Sequence, residues 1–383
     1  MEIRGVDDAN QTLRFLEHRV LHPVKIAIIA HLKFPIAQPF SGGLEMHTHL
    51  LASALQARGH DVTLYASEGS QGDFRLVAVC PPTGCAFDDV SEARIDAAEN
   101  AAYVRIMDAV VSGGYDFVHN NSLHFLPLLR AGELAVPMVT ALHTPPFEPF
   151  VRGVRARARD MSFAAVSPSL AREWHDLIGD PQVIGNGIDL TAFAYAAKPL
   201  GEPHAIWMGR LVPEKGPHLA IDAARAAGLP LKFAGPRSDP AYWDNEIAPR
   251  LGEDVTYLGH LGHDALAAHV AKAHVALCTP RWEEPFGLVL AEFLACGTPV
   301  AAFRRGAIPD ILDASCGVLA AADDVADLGR AVKQAIGLSR ADCRRRAEQL
   351  FDADTMTDQY EALYALELQR AANTAVAARV SNA

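Results

Sequence analysis

Residues 280–303, PRWEEPFGLVLAEFLACGTPVAAF, hold two carboxylates, Glu284 and Glu292, on either side of an apolar segment. A carboxylate accepts paired hydrogen bonds from hydroxyl groups such as those of a sugar or a ribose. Glu292 interrupts apolar sequence, where a charged group needs a partner. Glu284 stands in a loop just before the helix that this segment predicts, so the two acids reach different points of one elongated ligand. The plainer alternative makes Glu284 a complement to the helix dipole and Glu292 a solvated group. At the start of the same helix, Phe286, Gly287 and Leu288 are expected to present unpaired backbone N–H groups, an anion site, and Gly297 to close the helix.

Other residues pose the same choice. Arg210 and Lys215 flank Pro213 in GRLVPEKG and read either as a solvated basic pair or as ligands of an anion. His143 ends the strand PMVTALH, a place where a lone histidine commonly serves structure. Gly42 and Gly43 make a turn or let a ligand approach the backbone closely. His47 and His49 lie two apart on a predicted helix, do not share a face, and make a poor metal pair. Arg152, Arg155 and Arg159, at intervals of three and four, form one helical face. That face reads first as solvated, with acceptor phosphate or anionic lipid headgroups as the alternative and weak peripheral membrane contact its consequence.

The elements that must place these groups alternate along the chain. VKIAIIA (24–30) is a continuous apolar run of strand length, the mark of a parallel strand buried on both faces. A helical segment from Gly43 to Gly59 and the strand DVTLYAS follow. Strands near 115–119, 137–143 and 163–167 continue the series. A break at AYAAKPLGEP (194–203) marks a linker. The pattern then restarts with AIWMG, LKFAG, VTYLG, VALC and CGVLA, interleaved with helices from about 217 and 264. The expected organisation is a leader at 1–21, a Rossmann-like domain at 22–195, a second at 203–353, a helix at 354–372 docking back on the first domain, and a frayed tail at 373–383. Two doubly wound α/β domains facing each other leave a cleft at the carboxyl ends of their strands.

Composition narrows the function. The 383 residues exceed one ordinary core, and 50% apolar with 21% charged residues describes a globular protein. A net charge of -12 argues against general nucleic-acid binding, so a phosphate ligand must be held locally. Six scattered cysteines suggest free thiols in a reducing compartment. With no apolar run of spanning length and no signal-like start, the expected location is cytoplasmic.

EPFGLVLAEFLACGTPV (284–300) resembles the signature of the family 4 retaining glycosyltransferases, with its Glu-x7-Glu spacing met by Glu284 and Glu292. GRLVPEKG (209–216) is similar to the family's phosphate-binding segment, SGG (41–43) to its N-terminal glycine loop, AVSPSL (165–170) and VIGNGID (183–189) to its end-of-domain motifs, and FDADTMTDQYEALY (351–364) to its C-terminal helix. The matches run in the family's order over nearly the whole chain. The resemblance implies the GT-B architecture and transfer of a hexose from a nucleoside diphosphate sugar to an acceptor held mainly by the first domain. Family frequency favours a UDP-sugar, UDP-glucose above all.

Carried over position by position, the resemblance implies that Arg210 and Lys215 bind the donor diphosphate, with Gly42 and Gly43 close to the phosphates. It implies that Glu284 binds the donor sugar, Glu292 the ribose, and the backbone of Phe286, Gly287, Leu288 and Val289 the sugar and phosphates. His143 would sit beside the anomeric carbon. No metal is expected, because cations and helix N–H groups can stabilise the leaving diphosphate. Asp352 and Asp354 form an Asp-x-Asp that binds metal in other transferase folds, but here Asp354 reads as a helix N-cap. The rivals are a non-catalytic nucleotide-sugar sensor, an epimerase, and a phosphorylase, which would need a pyridoxal phosphate lysine. The acceptor and the oligomeric state are not legible.

Overall fold

The computed structural model describes residues 22–381 apart from 87 and 158–160; the leader at 1–21 and Arg159 lie outside the described residues. Two all-parallel sheets organise the rest. The first contains β1 (Lys25–Ile29), β2 (Asp61–Ala66), β3 (Arg75–Ala78), β4 (Phe117–Asn120), β5 (Met138–Leu142), β6 (Ser162–Ala165) and β7 (Gln182–Val183), in the order β3-β2-β1-β4-β5-β6-β7. The second contains β8 (Ala205–Met208), β9 (Leu231–Ala234), β10 (Val255–Tyr257), β11 (Val275–Cys278), β12 (Val300–Phe303) and β13 (Gly317–Ala320), in the order β10-β9-β8-β11-β12-β13.

The central strands are largely apolar because both faces are covered, apart from Lys25, Thr140 and the His119–Asn120 end of β4. In β1, Ile26 and Ile28 join a cluster with Leu51 and Leu55 of the helix Gly43–Ala57, while Ala27 and Ile29 join another with Tyr103 and Ile106 of the helix Asp89–Ser112. This second cluster continues into the other sheet through Ile206, Met208 and the helix Leu288–Ala295. Apolar packing therefore ties both sheets together beside the cleft.

The edge strands β3 (RLVA) and β7 (QV) are short, and their residues are half-buried or exposed. The last helix, Ala353–Ser381, leaves the second sheet and lies against the first. Met356, Tyr360, Leu363 and Tyr364 pack with Ile26 and Ile28. At its start, Asp354, Asp358 and Glu361 all ion-pair with Arg58. The helix runs through the alanine-rich tail to Ser381 instead of fraying after Arg370, as suits the residue with the best helix propensity. Asp354 is not the cap: the Asp352 carboxylate accepts from the Asp354 N–H at 3.1 Å, which frees Asp354 for Arg58. Where the chain crosses back, Ile188 and Asp352 form a parallel bridge. Among the described residues, no helix is long and apolar enough to cross a membrane.

Candidate active site

In each sheet the strand order reverses beside the first strand of the domain, between β1 and β4 and between β8 and β11. Ligands of doubly wound sheets bind at such switch points, outside the carboxyl ends of the strands. Here the loops from both sheets meet around one cleft of about 470 Å³. Gly42, Gly43, His143, Arg210, Lys215, Glu284, Phe286, Gly287, Leu288, Val289 and Glu292 all line it.

Lys215 ends a 3-10 turn, Pro213–Lys215, after β8. Gly216 follows with φ +64, and a Cβ there would lie 2.3 Å from the Thr279 carbonyl, so only glycine fits. The Thr279 hydroxyl sits 3.0 Å from the Lys215 carbonyl and receives the Trp207 indole N–H at 3.0 Å, fixing the turn against β11. The Lys215 ammonium then donates to Glu284 Oε2 at 2.6 Å. Trp282 Nε1 donates to the same oxygen at 3.0 Å, and the ammonium lies 5.0 Å from the Trp282 ring centroid. Arg210 is less engaged, with a terminal nitrogen 3.6 Å from Glu214 Oε1.

The helix after Glu284 begins two residues later than the sequence suggests. Gly287, at φ +85, is its N-cap, Leu288 its first residue, and Leu290 N–H returns to the Gly287 carbonyl at 2.9 Å. The amides that open the helix are therefore those of Leu288 and Val289, while the Phe286 ring packs edge-on against Phe351. Gly297 closes it as expected: just beyond the Cys296 C-cap it turns left-handed, its N–H donating to the Leu294 carbonyl and the Thr298 N–H to the Phe293 carbonyl, each at 2.9 Å. Glu292 lies on the helix, buried rather than solvated. Among the described residues its nearest ion-pair group is His263 Nε2, at 4.0 Å. Burial without a donor pushes its carboxyl up to about 8.

The first domain closes the other side. Gly43 is more than a turn, since a Cβ on it would come within 2.8 Å of Leu288 Cδ1, across the cleft. Ser167 Oγ donates to the Pro285 carbonyl at 2.6 Å and Asp310 Oδ2 accepts from Ser169 N–H at 3.0 Å, two further ties between the domains. His143, after β5, donates from Nε2 to Asn121 Oδ1 at 2.9 Å, and burial beside His47 and His119 keeps it neutral. His47 and His49 turn to different neighbours, His47 to His143 and His49 to Phe40 and Phe74.

Sequence reasoning missed several neighbours. Glu45, on the first helical turn after the glycines, is buried and lies 3.0 Å from His31 Nε2. Its position within SGGLE was the available signal. Trp282, His263 and Asn121 had none, because each matters only through a side chain distant in sequence. Arg152 and Arg155 are exposed on the helix Glu148–Ala156, outside the cleft lining.

Residues 41–192 match the family Glycosyltransferase Family 4, and residues 191–350 match Glycosyl transferases group 1. Together the two matches span residues 41–350, and the chain is a glycosyltransferase of GT-B type. This glycosyltransferase is 29% identical over 358 residues to a glycogen synthase of Mycobacterium tuberculosis, covering 79% of the chain and 84% of the relative. It is 28% identical to a D-inositol 3-phosphate glycosyltransferase of Rhodococcus erythropolis, covering 76% and 78% respectively. Its fold matches sucrose-phosphate synthase from Thermosynechococcus elongatus with a TM-score of 0.74 at 20% identity, over 89% of this chain and 98% of that one. It also matches Anabaena HepE, crystallised with UDP-glucose, with a TM-score of 0.69 at 17% identity, over 92% and 100%. The architecture is GT-B, two Rossmann-like domains across a cleft.

Proposed function

We propose that this glycosyltransferase moves a hexose from a UDP-sugar to an acceptor hydroxyl with retention of anomeric configuration and without a metal ion. The observation that carries this reading is Glu292, a buried carboxylate without a protein hydrogen-bond donor among the described residues, in the same cleft as Arg210, Lys215 and a helix N-terminus. Two ribose hydroxyls satisfy such a carboxylate, and a diphosphate satisfies the rest.

In this reading Arg210, Lys215 and the amides of Leu288 and Val289 take up charge as the bond between the anomeric carbon and the phosphate oxygen breaks. Gly42 and Gly43 let the first domain's loop approach the phosphates. Glu284 holds donor sugar hydroxyls, and His143 stands beside the anomeric carbon. The acceptor oxygen attacks from the face that the diphosphate leaves, and its proton passes to a phosphate oxygen. Two facts support this over a covalent intermediate. Glu284 Oε2 already takes two hydrogen bonds, from Lys215 and Trp282, and the Glu45 carboxylate is held by His31. Both carboxylates are already paired with donors, which weakens each as the nucleophile that a retaining glycosidase requires. The acceptor lies against the first domain, where His31, Lys33, Phe34 and Leu123 line the cleft.

UDP-glucose, the ligand of the fold neighbour HepE, is the first donor to test. Proton NMR of its slow hydrolysis reads the stereochemistry before mutarotation. α-Glucose appearing first is expected; β-glucose first would overturn retention.

A further inference from the structure

His143 is not held by its own loop alone. Its Nε2 shares the Asn121 Oδ1 atom with His119 Nε2, each at 2.9 Å. His119 Nδ1 in turn lies 2.7 Å from the hydroxyl of Tyr364, a residue on the last helix 245 positions away in sequence. His119, Asn121 and Tyr364 are fully buried, and His143 lines the cleft. The chain of contacts therefore runs from the back of the first domain to its active face.

Proton counting gives it a direction. Asn121 turns its amide nitrogen to Thr48 Oγ1 at 3.3 Å, so its oxygen faces both imidazoles and can only accept. His119 then carries its proton on Nε2 and accepts the Tyr364 O–H at Nδ1. His143 likewise carries its proton on Nε2, which leaves Nδ1 as a lone pair. Burial agrees: it keeps the Tyr364 phenol protonated, His119 down at about 4, and His143 neutral.

We propose that Tyr364 is a positioning residue, fixing the tautomer and orientation of His143 through His119 and Asn121. The consequence is that the last helix, which crosses over from the second domain, must be seated for His143 to present an uncharged, correctly turned ring. A neutral imidazole suits a carbon that becomes positive as the diphosphate departs, because an imidazolium would repel it. The groups packed around His143 support the same state. The His47 ring lies 4.8 Å away, neither of its nitrogens hydrogen-bonded among the described residues, and His47 is itself held neutral, down at about 3. The proposal rests on the placement of His143 beside the anomeric carbon.

Tyr364→Phe removes one oxygen and keeps the ring that packs on Phe117 at 4.4 Å. The rate of nucleoside diphosphate release from UDP-glucose, or from whichever sugar nucleotide is turned over fastest, is measured for this variant, for His143→Ala and for the double variant. Losing one hydrogen bond of ordinary strength predicts a kcat about three- to tenfold lower for Tyr364→Phe, with KM within about twofold. In the His143→Ala background the same change should have no further effect. Imidazole 15N shifts need no turnover and should show a single Nε2–H tautomer for His143, replaced by a mixture in Tyr364→Phe. Unchanged kcat and an unchanged tautomer in Tyr364→Phe, or an equal loss in both backgrounds, would overturn the proposal. If His143→Ala turns over like the wild type, the role of His143 falls instead, and the 15N shifts still decide whether Tyr364 sets its tautomer.

Discussion

The Lys215 ammonium lies 2.6 Å from Glu284 Oε2, so the cation assigned to the donor diphosphate holds the carboxylate assigned to the donor sugar. Both side chains are largely buried, at 23% and 12% exposure, which makes the pair sensitive to removal of either charge. In the proposed reading, donor binding shares Lys215 between this carboxylate and a phosphate, so that the pair would set the two ends of the sugar–phosphate bond relative to each other.

Glu284→Gln separates these roles. Turnover should fall by about a hundredfold or more, since a sugar-positioning carboxylate is lost at the reacting end. UDP should bind as tightly as before, or several-fold tighter, because Lys215 no longer has a counter-charge. Steady-state rates and calorimetric titration with UDP check both parts. Unchanged turnover would remove Glu284 from the site chemistry.

Glu292 makes donor binding depend on pH. An unfolded glutamate releases its proton near 4.5, whereas the buried one holds it up to about 8. Between these values the folded protein binds a proton that the unfolded chain has lost, so stability falls as pH rises through this window and levels off above it. Ribose hydroxyls favour the ionised carboxylate, so UDP-glucose binding must release that proton. The Kd for UDP-glucose should therefore decrease as pH rises toward 8, by at most about tenfold per unit, and flatten beyond. In Glu292→Gln that slope should vanish. Calorimetry in buffers of different ionisation enthalpy counts the released proton directly.

Gly43→Ala tests the approach of the two domains. Its Cβ would meet Leu288 Cδ1 at 2.8 Å, a contact that one side must yield. The cleft should open slightly, raising the donor KM several-fold with little loss of thermal stability. Leu288→Ala in the same chain should restore KM by removing the clashing methyl groups. A KM that stays raised in the double variant would place the effect in the loop backbone.

Much of this site is legible in the sequence for physical reasons. VKIAIIA had to be a doubly buried strand, and AYAAKPLGEP had to break the pattern between two such sets. Glu292 stood out because a carboxylate in an apolar helix needs a partner, and the fold indeed buries it in the cleft. What stayed illegible depends on distant side chains. Nothing around Tyr364 announces a contact with His119, and the exact start of the helix at Leu288 depends on the left-handed Gly287 rather than on any periodicity. The capping role fell to Asp352 instead of Asp354 because the helix already begins at Ala353, which leaves Asp354 to pair with Arg58, nearly 300 residues earlier.

The most direct test is nucleoside diphosphate release from a panel of UDP-, GDP- and ADP-sugars, with slow hydrolysis in place of the acceptor, run beside Arg210→Ala. Release from a UDP-sugar above background is expected. The variant should bind UDP about ten- to a hundredfold more weakly, as befits the loss of a charge-assisted contact. No release from any donor, with no thermal stabilisation by any nucleotide, would contradict the account and leave a protein that keeps the glycosyltransferase fold without its reaction.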